Sequence, residues 1–161
     1  MKSTKARILL VGQNEARELL TPITKLLRER GNQTSAYFAE TIPFAARELD
    51  SFDFFILGLS KAGREVSSAA YQWERGIVKA IWEQPRANKM PSCIISDVDG
   101  YISAHYLVEY GDLFRLVACT EQAQVDSLDL FSNHRVVGRD IIAITDTVSE
   151  MLGTPARALA S

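Results

Sequence analysis

The chain has 161 residues, of which 47% are hydrophobic and 24% charged, and its formal net charge is −2. This length and composition are those of one ordinary globular domain with a sizeable core. The small net charge gives no electrostatic reason to expect binding to nucleic acid or to an anionic membrane surface. No apolar run approaches the ~20 residues of a membrane span. The first residues lack the pattern of a secretory signal, so we expect a cytoplasmic protein.

Five apolar segments are predicted to be β-strands: residues 7–12, 34–38, 53–58, 91–97 and 113–119. The first and third are almost unbroken apolar runs, which is typical of strands buried on both faces of a parallel sheet. The only cysteines, Cys93 and Cys119, lie within apolar runs. We therefore expect buried, reduced thiols rather than a disulfide.

Amphipathic segments between the strands are predicted to be helices at residues 14–30, 41–49, 67–83, 102–110 and 139–152. Pro22 lies within the first of these. Either it kinks that helix, or Thr21 and Pro22 form the cap and first turn of a helix that begins later. Residues 120–135 are polar and turn-like.

Regular alternation of strands and helices predicts an α/β protein whose parallel sheet is covered on both faces. We expect a three-layer, flavodoxin-like fold with a five-stranded sheet in the order 2-1-3-4-5. It forms a single domain over residues 1–153, followed by a loose tail at 154–161.

Ligands of such sheets bind beyond the carboxyl ends of the strands, at the switch point between strands one and three. The candidate ligand-binding residues at these ends are Gly12, Gln13, Asn14, Gly58, Ser60, Lys61, Asp97 and Asp99. No set of side chains has metal-ligand spacing, so we expect no metal site.

The segment CIISDVDG at residues 93–100 resembles the catalytic motif of the haloacid-dehalogenase phosphatases. In those enzymes the first Asp attacks phosphorus, the second protonates the leaving group, and a later lysine stabilises the intermediate. No lysine follows Lys89. The pattern therefore favours a turn in which Asp97 or Asp99 caps the next helix, with a role in ligand binding as the alternative.

Three segments resemble the receiver domain of two-component response regulators: RILLVGQNE at 7–15, FDFFILG at 52–58 and PRANKMPSCIIS at 85–96. The resemblance extends over residues 6–119. It implies the same fold and a regulatory role in signalling, in the bacterial two-component style.

The residues at the receiver's active positions differ from the family's pattern. The two Mg²⁺-binding acids correspond to Gly12 and Gln13, the phosphoacceptor Asp to Gly58, and the Ser/Thr position to Ser96. The lysine after strand five has no counterpart. Without carboxylates Mg²⁺ has no ligands, and without the Asp no aspartyl phosphate forms. The resemblance therefore implies a pseudo-receiver.

A second resemblance is to flavodoxins, notably the flavodoxin-type protoporphyrinogen oxidases. It rests on FDFFILGLSKAG at 52–63, KMPSCIISD at 89–97 and HRVVGRDI at 134–141, and it implies an FMN cofactor. The first loop, residues 11–16, has one glycine, no hydroxyl group and the carboxylate of Glu15, unlike a phosphate loop. Gln13 and Asn14 could still donate hydrogen bonds.

A third resemblance is to TIR domains, in which a Ser-rich segment leads to a helix whose catalytic Glu cleaves NAD. Residues 67–74, SSAAYQWE, have that form and place Glu74 at the catalytic position. A helical Glu of this kind is more often solvated than catalytic, so we expect Glu74 to be a solvated residue beside Arg75, with the catalytic role as the alternative. Trp73 and Trp82 lie about 180° apart on the same helix, so one is expected in the core and the other exposed, where it could anchor a partner.

These observations favour a non-catalytic, receiver-like regulatory or protein-interaction domain without a cofactor. Its expected partner is another protein or a second copy of the chain. The alternatives are an FMN-binding redox protein with an atypical phosphate loop and a TIR-like NAD-processing domain.

Overall fold

A computed structural model of the protein describes residues 6–13, 16–38, 46–59, 69–85, 90–96, 114–119, 134–136, 138 and 140–152. The strands are β1 (Arg7–Gly12), β2 (Gln33–Phe38), β3 (Phe54–Leu59), β4 (Ser92–Ser96), β5 (Phe114–Ala118) and β6 (His134–Val136). The helices are α1 (Arg17–Glu29), α2 (Ala69–Trp82) and α3 (Ile141–Leu152), with a 3-10 helix at Ala46–Ser51.

The six strands of the described residues all pair in parallel, in the order β2-β1-β3-β4-β5-β6. The α/β class and the predicted order 2-1-3-4 are confirmed. Among the described residues, β6 pairs with β5 as a further strand that the five-stranded prediction did not include. Its three residues lie at the end of a segment predicted to be a polar loop and are too few to show a periodic pattern.

Every residue of β3 is buried, as its unbroken apolar run predicted, and every residue of β4 is buried too. Side chains alternate between the two faces of the sheet, so each face has its own core. One face, here called the α2 face, packs Leu9 and Val11 of β1 against α2 and the 3-10 helix. The other, the α1 face, packs Ile8 and Leu10 against α1 and α3. The result is the expected arrangement of three layers.

Helix α1 is one continuous helix that contains Pro22, so a later helix start is ruled out. Its buried stripe consists of Leu20, Ile23, Thr24 and Leu27. Gly31, at φ +99°, ends the helix in the left-handed region that glycine adopts most easily.

Two polar links connect elements that are distant in sequence. The Arg7 guanidinium donates to both carboxylate oxygens of Asp53, at 3.1 and 3.0 Å, and joins the start of β1 to the residue before β3. These hydrogen bonds hold the pKa of Asp53 below its usual value. On the α1 face, Arg30 contacts Asp146 at 2.7 Å and Ser149 at 3.2 Å, which fastens α1 to α3.

Several further expectations have a definite outcome. Cys93 and Cys119 are buried, as predicted, and no disulfide joins them. Trp73 packs on the α2-face core while Trp82 is 45% exposed, which confirms the split between the two tryptophans. The predicted helix at 102–110 and the tail at 154–161 lie outside the described residues. Within the described part of the chain, no helix combines the length and apolar character needed to cross a membrane.

Candidate functional site

Because the sheet is parallel, β1, β3 and β4 all end at one edge, here called the carboxyl edge. Three of the predicted site residues are described there. Gly12 lies directly opposite Gly58 in the register of β1 and β3, and Gln13 follows Gly12. The other five predicted site residues, Asn14, Ser60, Lys61, Asp97 and Asp99, lie outside the described residues.

The two glycines permit an unusually close approach of α1 to the sheet. A Cβ atom on Gly58 would lie 2.6 Å from Cδ1 and 2.7 Å from Cγ of Leu20. A Cβ atom on Gly12 would lie 2.7 Å from the Cβ of Ala16. Both side-chain positions are therefore filled by α1, so these glycines serve helix packing and leave no space of their own for a ligand on the α1 face.

One backbone hydrogen bond links the residue after β1 to the residue before α1. The backbone N–H of Ala16 donates to the carbonyl of Gln13 at 2.9 Å, and α1 begins at the next residue. Ala16 is the N-cap and supplies no side-chain hydrogen bond to the first turn. The helix therefore starts without the hydroxyl or carboxylate cap that usually satisfies its first N–H groups.

Gln13 has a buried amide that lacks a partner. Its side chain is 2% exposed, and Nε2 makes no hydrogen bond. A buried donor without an acceptor costs about 1–3 kcal/mol, so it requires an explanation at this position. The sequence identified Gln13 as a candidate donor but could not show that its amide is enclosed and unsatisfied.

The positions that correspond to the receiver's acids carry no carboxylate in the structure. Gly12 and Gly58 have no side chains, and Gln13 has a neutral amide. In the part of the chain that the structure describes, no group of three or more His, Cys, Asp or Glu side chains is placed to hold a metal ion. These residues cannot supply a metal-bound aspartyl phosphate by the receiver's route.

Glu74 is fully buried, so the expectation of a solvated residue beside Arg75 is wrong. The sequence did contain the signal for this burial. Glu74 precedes Ile77 by three residues and Val78 by four, which puts it on the buried stripe of α2. Exposure was predicted in spite of this spacing, because Glu is rarely buried.

Cys93, Arg17 and Trp82 are further side chains with a possible chemical or binding role. Burial raises the pKa of the Cys93 thiol far above its usual value, which excludes a reactive thiolate at neutral pH. Arg17, at the start of α1, places its guanidinium 4.7 Å from the centre of the Phe38 ring. Trp82, at the last turn of α2, is near the opposite edge of the sheet, because α2 runs antiparallel to the strands it connects.

Comparison with known proteins identifies the fold. No protein-family model matches the chain, and no curated protein matches it in sequence. A mutant flavo-di-iron protein from Thermotoga maritima is similar in structure, with a TM-score of 0.57 and 14% identity. The match covers 98% of this chain and 37% of the flavo-di-iron protein, so this chain corresponds to about a third of that protein.

Oxidised flavodoxin 1 from Bacillus cereus is similar along nearly its whole length. Its TM-score is 0.54 at 13% identity, over 93% of this chain and 99% of the flavodoxin. A pilus assembly-related protein from Burkholderia pseudomallei matches with a TM-score of 0.48 at 14% identity, over 94% of this chain and 93% of that one. At such low identities the two higher-scoring likenesses establish a flavodoxin-like fold and nothing finer.

Proposed function

We propose that the chain is a non-catalytic, receiver-like domain that regulates by contact with a protein partner. The observation that carries the proposal is the pairing of Gly12 with Gly58 at the carboxyl edge. These positions and Gln13 are where the receiver family keeps its Mg²⁺ ligands and its phosphoacceptor. In this chain, apolar atoms of α1 occupy the space beside both glycines.

Leu20 fills the space in the core that a phosphoacceptor side chain at position 58 would need. An Asp at position 58 would place its Cβ within 3 Å of three Leu20 atoms. The chain therefore could not accept that side chain without a shift of the Leu20 side chain or of α1. A regulatory domain of this kind would signal through its surface, since the chemistry that switches a receiver is missing.

The exposed aromatic group on α2 supports the partner contact. Trp82 is 45% exposed, and tryptophan is enriched among the residues that dominate binding energy at interfaces. Ile142 on α3, at 60% exposure, is the other large hydrophobic residue found exposed in the described part of the chain. It lies on the opposite face of the sheet and provides a matched control.

Self-association tests this surface directly with a second copy of the chain as the partner. Sedimentation velocity over a range of protein concentrations measures the dissociation constant. Trp82→Ala is expected to raise it at least tenfold, a loss of about 2 kcal/mol for an interface anchor, and Ile142→Ala to leave it unchanged. A chain that stays monomeric at every concentration would argue against the homodimer.

Magnesium binding tests the absence of the receiver's metal site. Titration of Mg²⁺ into the purified protein, followed by calorimetry, is expected to give only heats of dilution. Gln13→Asp would introduce a carboxylate at a position that corresponds to a Mg²⁺-binding acid of receivers, and it serves as a comparison variant. Saturable binding to the wild-type chain that is lost in Gln13→Leu would overturn the proposal.

An FMN-binding redox protein is the second candidate. It is favoured by the flavodoxin-like fold and by the unpaired Gln13 amide at the strand ends. Fluorescence of free FMN, titrated with the protein, tests it. Saturable quenching that Gln13→Met weakens would support a flavin site, whereas constant fluorescence would remove this candidate.

A TIR-like NAD-processing domain is the third candidate, favoured by the complete burial of Glu74 on the inward face of α2. Incubation of the protein with NAD, followed by chromatography of the products, tests it. Loss of NAD that stops in Glu74→Gln would support this activity. An unchanged NAD concentration would exclude it.

A further inference from the structure

Strand β2 forms an edge of the sheet that lacks the usual protection. Among the described strands, β2 and β6 are the two ends of the order, so no other described strand lies on the outer side of β2. Strand β2 has six residues, QTSAYF, with no charged side chain and no proline, whereas β6 has three residues and includes Arg135. Proteins commonly protect an edge by shortness, charge or proline, because an open edge pairs with other chains. Strand β2 has none of these features.

The backbone of β2 directs hydrogen-bonding groups away from the sheet. The N–H of Gln33 donates to the carbonyl of Ala6 at 2.9 Å, so the backbone groups of Gln33 point towards β1. In a strand, successive residues direct their N–H and C=O groups to alternate sides. Thr34 and Ala36 therefore direct theirs outwards, where an added strand would lie.

Two arginines of α1 lie over the side chains of β2. The guanidinium of Arg17 is 4.7 Å from the centre of the Phe38 ring, and Arg28 donates from Nε and Nη2 to Thr34 Oγ1, at 3.1 and 2.9 Å. Arg17 and Arg28 are about three turns apart, so they lie on the same side of α1. Thr34 and Phe38 share the α1 face of β2 and are roughly 13 Å apart along the strand.

No carboxylate of the described residues neutralises these two arginines. No ion pair of Arg17 or Arg28 is found within the described part of the chain, and β2 itself has no acidic residue. Glu18 and Glu29 are the residues that follow the arginines on α1, so each is turned about 100° away from its neighbour. The open edge is therefore flanked on the α1 face by two positive charges.

We propose that β2 binds an extended, acidic segment of a partner protein as an additional strand. The outward backbone groups of Thr34 and Ala36 would supply the main-chain hydrogen bonds of this pairing. Side chains alternate between the faces of a strand, so acidic residues at every second position of the segment fall on the α1 face. There they meet Arg17 and Arg28, and hydrogen bonds between guanidinium and carboxylate groups are among the strongest in proteins.

A second copy of the chain fits this edge less well. Antiparallel pairing of two β2 strands about a two-fold axis puts the α1 helices of both copies on the same side of the joined sheet. Arg17 and Arg28 of one copy then face the same arginines of the other. Like charges across a strand pair are destabilising, so the charge favours an acidic partner.

The proposal goes beyond the contact proposed for Trp82. Trp82 belongs to α2, which covers the other face of the sheet. Loss of peptide binding at β2 would leave the self-association test at Trp82 unaffected. Either proposal can therefore fail while the other stands.

Fluorescence anisotropy of a dye-labelled peptide, titrated with the protein, tests strand addition. The probe is an acetylated and amidated hexapeptide of alternating valine and glutamate. It is expected to bind saturably with a dissociation constant below about 1 mM, and several-fold more weakly in 1 M salt. A hexapeptide with lysine in place of glutamate, and a glutamate peptide that is N-methylated at every residue, should not bind.

Variants at Ala36 separate the backbone and charge contributions. Proline at this position removes an outward N–H and leaves the hydrogen bonds to β1 in place, so Ala36→Pro should weaken peptide binding about tenfold. Ala36 is exposed and shares the α1 face with Thr34 and Phe38, so Ala36→Glu puts a competing carboxylate between the two arginines. It keeps the N–H and should weaken binding at least threefold even if the proline variant fails to fold.

Charge variants on α1 complete the set. Arg17→Gln and Arg28→Gln should each weaken binding of the glutamate peptide about threefold. Lys25 is exposed on α1 and lies at least 60° around the helix from both arginines, so Lys25→Gln is the matched control for net charge. Lys25→Gln and Trp82→Ala should bind the peptide as the wild type does.

Four results would overturn the proposal. The first is a wild-type protein that does not bind the glutamate peptide, and the second is equal binding of the lysine peptide. The third is unchanged affinity for the N-methylated peptide, which would show binding by charge alone. The fourth is a wild-type dimer that dissociates in Ala36→Pro but persists in Trp82→Ala, which would put a second copy on β2.

Discussion

Replacement of Gly58 by alanine should destabilise the protein by overpacking. The added Cβ would lie 2.6 Å from Leu20 Cδ1, 2.7 Å from Cγ and 3.0 Å from Cδ2. Carbon atoms pack favourably at about 3.5–4.0 Å, so the contact is about 1 Å too short. Leu20 is fully buried, so its side chain can move only against its neighbours in the core. We expect a loss of about 1–3 kcal/mol in the free energy of unfolding, or roughly 2–12 °C in Tm.

A double-mutant cycle measured by urea denaturation isolates this contact. Leu20→Ala alone should cost about 2–5 kcal/mol through the cavity that it leaves. If the two groups compete for one space, the double variant should be more stable than the sum of the single effects by about 1–3 kcal/mol. Strict additivity would refute the close packing of α1 on Gly58.

Gly76 provides the matched control. It is exposed within α2, and an added Cβ would meet nothing within 4 Å. Gly76→Ala should therefore stabilise the protein by up to about 1 kcal/mol through helix propensity alone. Gly31→Ala is likewise free of contacts, but its φ of +99° is unfavourable for alanine, so it should destabilise by about 1–2 kcal/mol.

Three further predictions concern charge and burial. Hydrogen bonds from Arg7 lower the pKa of Asp53 in the folded state, so the stability that this pair contributes is present above about pH 4 and is lost as the pH falls through the folded pKa. Urea denaturation at a series of pH values should show that the free energy of unfolding falls less with decreasing pH in Asp53→Asn than in the wild type. An equal fall in both would contradict the contribution of the Arg7–Asp53 pair. Asp146→Ala removes the contact with Arg30 and should cost less than about 1 kcal/mol, with a smaller effect in 1 M salt. Cys93 should resist alkylation by iodoacetamide in the folded protein and react in urea, because burial raises the pKa of its thiol; rapid native labelling would show that the site opens.

The parts of the fold that were predictable are those fixed by local pattern. The apolar runs of β1 and β3 required burial on both faces, and that requirement led to a parallel sheet with helices on both sides. Strand β6 was not predictable, because it has only three residues. The helix predicted at 41–49 overlaps the 3-10 helix at Ala46–Ser51 in part, and tertiary contacts of Leu49 and Phe52 hold that element in place. Pro22 allowed two interpretations, and only the folded helix distinguishes between them.

The position of the candidate site could be predicted from the sequence, but the packing, burial and hydrogen bonding of its residues could be predicted only in part. The rule for parallel sheets placed Gly12 and Gly58 at the carboxyl edge, where they lie opposite each other. These glycines allow α1 to pack closely because Leu20 approaches the sheet there, and the sequence pattern does not show how close that approach is. The burial of Glu74 was present in the periodicity, whereas the unpaired amide of Gln13 depends on the positions of all surrounding groups.

The most direct test of the central claim is intact-mass spectrometry of the purified protein after incubation with acetyl phosphate and Mg²⁺. Acetyl phosphate donates a phosphoryl group to a competent receiver without a kinase. With Gly12, Gln13 and Gly58 in place of the acids, the account predicts that the mass does not change. A phosphorylated species that requires Mg²⁺ would contradict a receiver-like domain without phosphoryl chemistry.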